Sequence, residues 1–495
     1  MKKDSLRITI ALLFVCTILS ANNIQVSNIS LTNQDVGQNT IFVQFDLSWE
    51  NSWRVSAGPA NWDAAWVFLK YRVSGGNWNH VNINYVNGTS DGHQLPNGAT
   101  MKTVPSGIGG FIFRSADGTG NVNFQGVQLL WNYGAVGLDD DALIEVKVFG
   151  IEMVYVPTGQ FVIGTGSSGT EVNKFYNWPF GAAYSISSEN AINVAPAFGT
   201  LYYVNQPGSN GGDQQGPIPA TFPKGYNAFY CMKYELSQGQ DVSFFNTLTD
   251  GQKLNHDLSD ANHKNSDGVV ARNGFAWVSG YSTTSLPDVP QNYLNWSDIT
   301  AYLDWAGLRP ITELEYEKAC RGTLSAVPGE FAWGNAEIPD PAGPYTLLNE
   351  GTPNEIISNP APEQATVSYQ PTAIGIGGPF RCGIHAASAI SKNRTESGGS
   401  YYGIMELTGN LYERVVSVGS PNGRAFTGAH GDGVLTAAGL HNVPNWPVGN
   451  TGATGYRGGS YANGSPFVRV SDRYDAANPS DIVNSRIGSR GGRTE

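Results

Sequence analysis

Charge and cysteine are both scarce in this chain. Of 495 residues only 14% are Asp, Glu, Lys or Arg, and four are cysteine. Lys and Arg number 29 against 41 Asp and Glu, a formal charge of −12. A nucleic-acid surface needs a basic excess to meet phosphates, so no nucleic-acid partner is expected. No Cys-x-x-Cys pair occurs, which excludes zinc knuckles and thioredoxin-type sites. The single long apolar run, Ile8 to Leu19, is shorter than the roughly 20 residues of a membrane helix. No G-X-Y period accompanies the 61 glycines, so collagen is excluded. Disorder is excluded too, because 40% of the chain is hydrophobic and 11% aromatic.

What is present begins with an address. Lys2, Lys3 and Arg7 precede the apolar run, and Ser20 and Ala21 follow it. This is the order of a secretory signal peptide, residues 1–21, with cleavage expected after Ala21. The mature chain is then secreted or held at the cell surface, without a transmembrane segment. Cys16 leaves with the leader. Cys231, Cys320 and Cys382 remain, an odd number that allows at most one internal disulfide.

Residues 22–150 read as an all-β module. Ile41-Val43-Phe45-Leu47 and Phe111-Phe113 alternate with period two, and Asn87-Gly88, Asp91-Gly92, Asn97-Gly98 and Asp117-Gly118 mark turns. Many short strands predict a β-sandwich. Trp49, Trp53, Trp62, Trp66, Trp78 and Trp131 are expected to pack inside it; the alternative is a glycan-stacking platform. Residues 151–495 read differently. Met153 to Gly164 gives strand, Pro-Thr-Gly turn and strand, and residues 165 to 225 are Gly/Asn/Ser/Pro-rich loops. Helical spacing occurs from Ser237 to Leu248 and from Ser297 to Ala306, stopped by Gly307. Thr312 and Glu315 form a capping box for a third helix. The fold class expected is α+β with a high loop content.

Six blocks of this second region carry a family resemblance. They are Met153 to Gly164, Tyr230 to Ser237, Arg309 to Glu317, Phe331 to Asn335, Tyr402 to Glu413, and Tyr456 to Tyr461 before Ile487 to Arg490. In this order they resemble the formylglycine-generating-enzyme (sulfatase-modifying factor) family, in a setting similar to secreted proteins of Bacteroidetes-type bacteria. The resemblance implies a C-type-lectin-like α+β domain with little regular structure.

It also implies chemistry, which this chain keeps only in part. Family members that oxidise a substrate cysteine hold copper with two cysteines shortly after the Gly-Gly-Ser element, and a soft thiolate pair suits Cu(I). Here no cysteine follows Ser460, so copper is not expected, and none of the seven His forms a His-x-x-x-His pair on a predicted helix, so neither is the histidine-held iron of a second branch of the family. Cys320 matches a structural cysteine of the family whose partner position is Gly491 here, so the usual bridge cannot form; Cys231 is a candidate replacement partner. A calcium-type site survives: the side chains of Glu406 and Glu413 with the carbonyls of Gly409 and Leu411, hard oxygens suited to calcium. The rival reading has both glutamates facing solvent or Arg414.

The ligand surface of lectin-like relatives corresponds to the stretch 461–486, giving Asn463, Ser465, Tyr474, Asn478 and Asn484 as candidates. Tyr and Asn suit adaptable contacts. Arg469, Asp472 and Arg473 are read instead as an internal salt-bridge network. A Ser460–His430–Asp432 triad can be assembled on paper, without a Gly-x-Ser-x-Gly signal to support it.

These observations favour a non-catalytic binding or structural protein, its partner a surface protein, a glycan or a second copy. A metal-dependent oxidoreductase and a self-assembling filament subunit are the alternatives.

Overall fold

The computed structural model describes residues 24–86, 91–166, 169–339 and 343–495. The expected leader, its cleavage site and the Asn87-Gly88 turn lie outside the described residues. Two compact units are formed. Among the described residues, one holds 24–52 and Ala65–Ile151, the other Trp53–Ala64 and Glu152–Glu495. The short segment 53–64, placed by sequence in the β module, thus belongs with the larger unit.

The first unit is built from β1 (Gln25–Asp35), β2 (Thr40–Arg54), β3 (Asp63–Val73), β4 (Asn79–Val81), β5 (Ala99–Thr103), β6 (Gly110–Arg114), β7 (Gly118–Asn132) and the start of β8 (Ile144–Val156). One sheet has the order β1-β2-β7, and the other runs β8-β3-β6-β5 with β4 also on β3. Along β2, Val43, Phe45, Leu47 and Trp49 point inward at every second position. Along β7 the buried set is Val122 and Phe124, then Val127, Leu129 and Trp131. The parity changes at Gly126, whose φ of 72° and bond to Asp46 Oδ1 (2.7 Å) absorb one extra residue. Both sheets feed one core, in which Ala65, Val67, Leu69 and Ile112 face Phe45, Leu47 and Trp131. That is a sandwich. Trp49, Trp66 and Trp131 are buried, so these three serve packing. Trp78 instead lies under Arg72 and Lys147, at 4.8 and 4.7 Å.

The second unit is α+β with few helices. The end of β8 pairs with Phe229–Met232, followed by Gly491–Arg493 and Arg309–Pro310. A separate three-stranded sheet places Tyr412–Val416 between Thr454–Arg457 and Ile487–Gly488. Four helices matter for the site: α1 (Gln238–Phe245), α2 (Asp250–Lys253), α3 (Trp296–Trp305) and α4 (Glu313–Arg321). Each starts with a reciprocal capping box: Ser237/Gln240, Thr249/Gln252, Asn295/Asp298 and Thr312/Glu315. A box satisfies two of the backbone donors that a helix start leaves bare, and losing the cap costs about 1 kcal/mol. The helix expected to start at Ser297 starts at Trp296, because Asn295 and Asp298 form its cap. Gly322 ends α4 at φ 66°, and a Cβ there would meet the Tyr401 ring at 2.0 Å. Short helices at Gln370–Ala373, Ile384–Ser388 and Pro421–Arg424 carry no periodic signal and were not expected.

Candidate functional site

The family-like blocks converge on α4 and the loops that follow Ser460. Helix α4 is unusual for carrying buried charge on several faces: Glu313, Glu315, Glu317, Lys318 and Arg321 are all buried. Glu313 Oε2 accepts from Arg457 Nη1 (3.0 Å) and Arg473 Nε (2.7 Å). Glu317 accepts from Arg457 Nη2 (2.8 Å) and Arg321 Nη1 (3.2 Å). Arg321 Nε continues to Glu330. The result is one alternating chain, Arg473–Glu313–Arg457–Glu317–Arg321–Glu330, with zero net charge. Burial works against the Glu313 carboxylate, but Arg473 and Arg457 hold its pKa below the usual range. The internal role expected for Arg473 is therefore present. Arg469 and Asp472 act elsewhere: Arg469 reaches Thr170 Oγ1 (2.6 Å), and Asp472 accepts the amides of Val172 and Tyr474.

A second buried cluster contains Glu406 and Glu413. Glu413 is fully buried and its Oε1 lies 2.5 Å from Arg490 Nε. Glu406 Oε1 accepts the Gly383 amide (3.1 Å). Glu235 joins them, accepting from the Leu411 amide (2.8 Å) and Asn410 Nδ2 (2.6 Å). Burial, reinforced by Glu413 and Glu406, pushes the Glu235 carboxyl well above its ordinary range. Burial also raises Glu406, to about 7, against the pull of Arg490. Glu406 and Asn410 sit at φ 53° and 61°, a left-handed conformation uncommon for side chains beyond glycine. Neither glutamate meets solvent or Arg414, whose guanidinium pairs with Asp481.

The calcium expectation can be held against these donors. Glu406 Oε2 and Glu413 Oε2 are buried without a partner among the described residues, which suits an ion. Calcium, however, takes 6–8 oxygens, and the guanidinium of Arg490 already supplies the positive charge at Glu413. Among the described residues no three Asp, Glu, His or Cys groups are placed to hold a metal ion. The set as arranged fits a carboxylate–guanidinium cluster and does not fit a calcium cage.

The thiols are equally committed to the interior. Cys231, Cys320 and Cys382 are buried and free, so the Cys231–Cys320 bridge considered from sequence does not form. Burial lifts Cys231 and Cys320 to about 12, keeping both protonated. Ser460 Oγ bonds Asn463 Oδ1 at 2.5 Å, inside its own turn. His430 Nε2 accepts from the Thr494 amide (3.0 Å), and Asp432 Oδ1 accepts from the Val434 amide (2.9 Å). Each member of the paper triad thus has a different partner.

The ligand-surface candidates behave as loop staples. Asn463 holds Ser460, and Tyr474 Oη donates to the Gly208 carbonyl (2.8 Å). Asn478 joins Asp475 to the Ser480 amide, and Asn484 accepts from the Arg486 amide. Ser465 opens the 3-10 turn Ser465–Val468.

With this geometry in hand, residues 148–493 match the model of the sulfatase-modifying factor enzyme 1-like domain. The chain belongs to that family. A formylglycine-generating enzyme of Bos taurus is 33% identical over 142 residues, covering 25% of this chain and 37% of that protein. One from Thermomonospora curvata is 42% identical over 74 residues, 14% of this chain and 24% of that protein. These matches therefore span well under half the length of either enzyme. Among solved structures, Treponema denticola variable protein 1 aligns with 12% identity and a TM-score of 0.32, over 70% of this chain and 96% of that one.

The sulfatase-modifying-factor domain holds a third titratable group that sequence reading missed. His256 Nδ1 meets Asp298 Oδ1 (2.8 Å), and His263 bridges Asp298 Oδ2 (3.1 Å) and Asp260 Oδ1 (2.9 Å). Burial pulls His263 down, but Asp298 and Asp260 overcome it and raise the imidazole to about 9. A folded pKa above the unfolded value near 6.5 gives stability that is complete below that value and lost as pH rises through about 9. Melting temperature is expected to fall by roughly 2–4 °C between pH 7 and pH 10. A His263→Gln variant should flatten this slope; an unchanged slope in thermal melts would refute the assignment.

Proposed function

We propose that this chain is a secreted or cell-surface binding or structural protein that uses a sulfatase-modifying-factor domain without oxidative chemistry. The observation that carries the reading is the segment after Gly458-Gly459-Ser460. Its side chains include no thiol, and Ser460 is engaged by Asn463. The thiols elsewhere are buried and held protonated. A soft copper site needs thiolates that a substrate can reach. An exposed ring pair, Phe180 and Phe198 with centroids 4.9 Å apart, gives such a protein an apolar contact surface.

The test is direct. The purified chain is incubated with copper, oxygen and a cysteine-containing sulfatase-type peptide, and the peptide is weighed by mass spectrometry. No aldehyde product is expected. Turnover to formylglycine would overturn the proposal and place the protein with the oxidative enzymes.

A further inference from the structure

We propose that a cleft beside the start of α4 is a binding site for a small monocarboxylate, a site independent of whether the domain is catalytic. The cleft measures about 200 Å³ and opens between the 220–227 loop, Thr427-Gly428 and Thr494. Its floor is Arg309, which is fully buried. The end of that guanidinium is occupied: Nη1 and Nη2 grip Glu315 at 2.9 and 2.6 Å. Its flank is not. Arg309 Nε is buried and has no hydrogen-bond partner among the described residues. A buried N–H of this kind costs about 1–3 kcal/mol unless an acceptor reaches it.

The wall is shaped to admit one. Gly428, at φ 72°, lines the cleft, and a Cβ there would lie 3.7 Å from Arg309 Nε and 2.6 Å from Pro223 Cγ. A bare glycine keeps a side chain out of the space beside that N–H. Hydroxyls of Thr221 and Thr427 line the cleft and can donate to a second oxygen, while the Thr494 hydroxyl is held by His430 Nε2. Phe222 and Pro223 offer apolar contact to a short carbon chain.

The surrounding charge has the right sign. Lys224 Nζ donates to three carbonyls, those of Glu189, Pro219 and Phe222. Lys318 Nζ likewise donates to the carbonyls of Pro157, Gly225 and Tyr226. Neither ammonium forms an ion pair there, and burial draws both down to about 8. With Arg309, and with Arg493 close enough to act on it, they outnumber the lining carboxylates of Glu189 and Glu315, so the surroundings favour an anion. Two carboxylates at the cleft disfavour a dianion, which selects a monocarboxylate over phosphate.

Titration calorimetry on the full chain tests this with butyrate as the probe. Binding with a Kd of about 1 mM or tighter is expected, with inorganic phosphate at least about tenfold weaker. Thr427 is exposed at the rim, so Thr427→Trp should block the cleft, weakening butyrate about tenfold or more while the melting temperature holds. Val269→Ala, at an exposed side chain outside the cleft lining, should bind as the parent does. No butyrate heat, equal binding by Thr427→Trp, or phosphate binding tighter than butyrate would each overturn the proposal.

Discussion

Glu313→Gln is expected to remove about 3–5 kcal/mol of unfolding free energy, enough to leave the larger unit barely folded. Glu313 is the anion at which two buried arginines meet. Oε1 also accepts from the Val418 amide (2.9 Å) and Arg473 Nη2 (3.0 Å). The amide of glutamine has nearly the same shape, but it removes the charge and turns a donor toward two guanidiniums. Arg473 and Arg457 would then stay buried with their charge half-matched, which is costlier than never having had the pair. The exposed pair Arg72–Glu145 is the control. Its Glu145→Gln change should cost under about 1 kcal/mol, because water screens it. Urea unfolding of both variants decides the matter, and a Glu313→Gln loss as small as the control's would remove the ionic chain from any account of this fold.

Arg490→Met is expected to be nearly as damaging, by about 3–5 kcal/mol, for the opposite reason. It strands carboxylates. Glu413 loses its partner, and Glu235 and Glu406 lose the nearby positive charge. The second change Glu413→Leu should restore much of the loss, since an apolar pair of similar volume is often no worse than a buried ion pair. The pH dependence should sharpen as well. The Glu406 carboxyl, raised to about 7, gives stability that is full below the unfolded pKa near 4.5 and is lost as pH rises through about 7. Without Arg490 these carboxyls move higher, so melting curves of Arg490→Met should decline more steeply from pH 5 to pH 8 than those of the parent. An unchanged slope, or no recovery in the double variant, would count against the cluster.

Much of the frame was legible in the chain itself. The alternation through Val43, Phe45, Leu47 and Trp49 is a local signal, and it survives because one face of β2 meets the core. The Thr312/Glu315 box was readable because both partners sit within one turn. What escaped was long-range pairing of charge. Glu313 lies 144 residues from Arg457 and 160 from Arg473, and no local pattern announces that such groups meet in a dry interior. The same holds for Glu235 and Arg490 around Glu413. Glu406 and Glu413 were found as a pair by resemblance, but the arginine that meets Glu413 from 77 positions away gives no local signal. The asparagines of 461–486 carry two readings at once: residues favoured at contact surfaces are also those that close turns.

The placing of charge bears on how the chain meets a protease. Among the described residues sixteen lysines and arginines are buried, out of 29 in the whole sequence. A trypsin-like enzyme needs such a residue in an extended, reachable strand of backbone. In the folded chain more than half of its cleavage points are therefore closed, and they open together when the ionic interior comes apart. Digestion by such an enzyme then follows the population of opened molecules and not the layout of the surface. The ion pairs that hold the loops in place also hide the sites at which the loops would be cut.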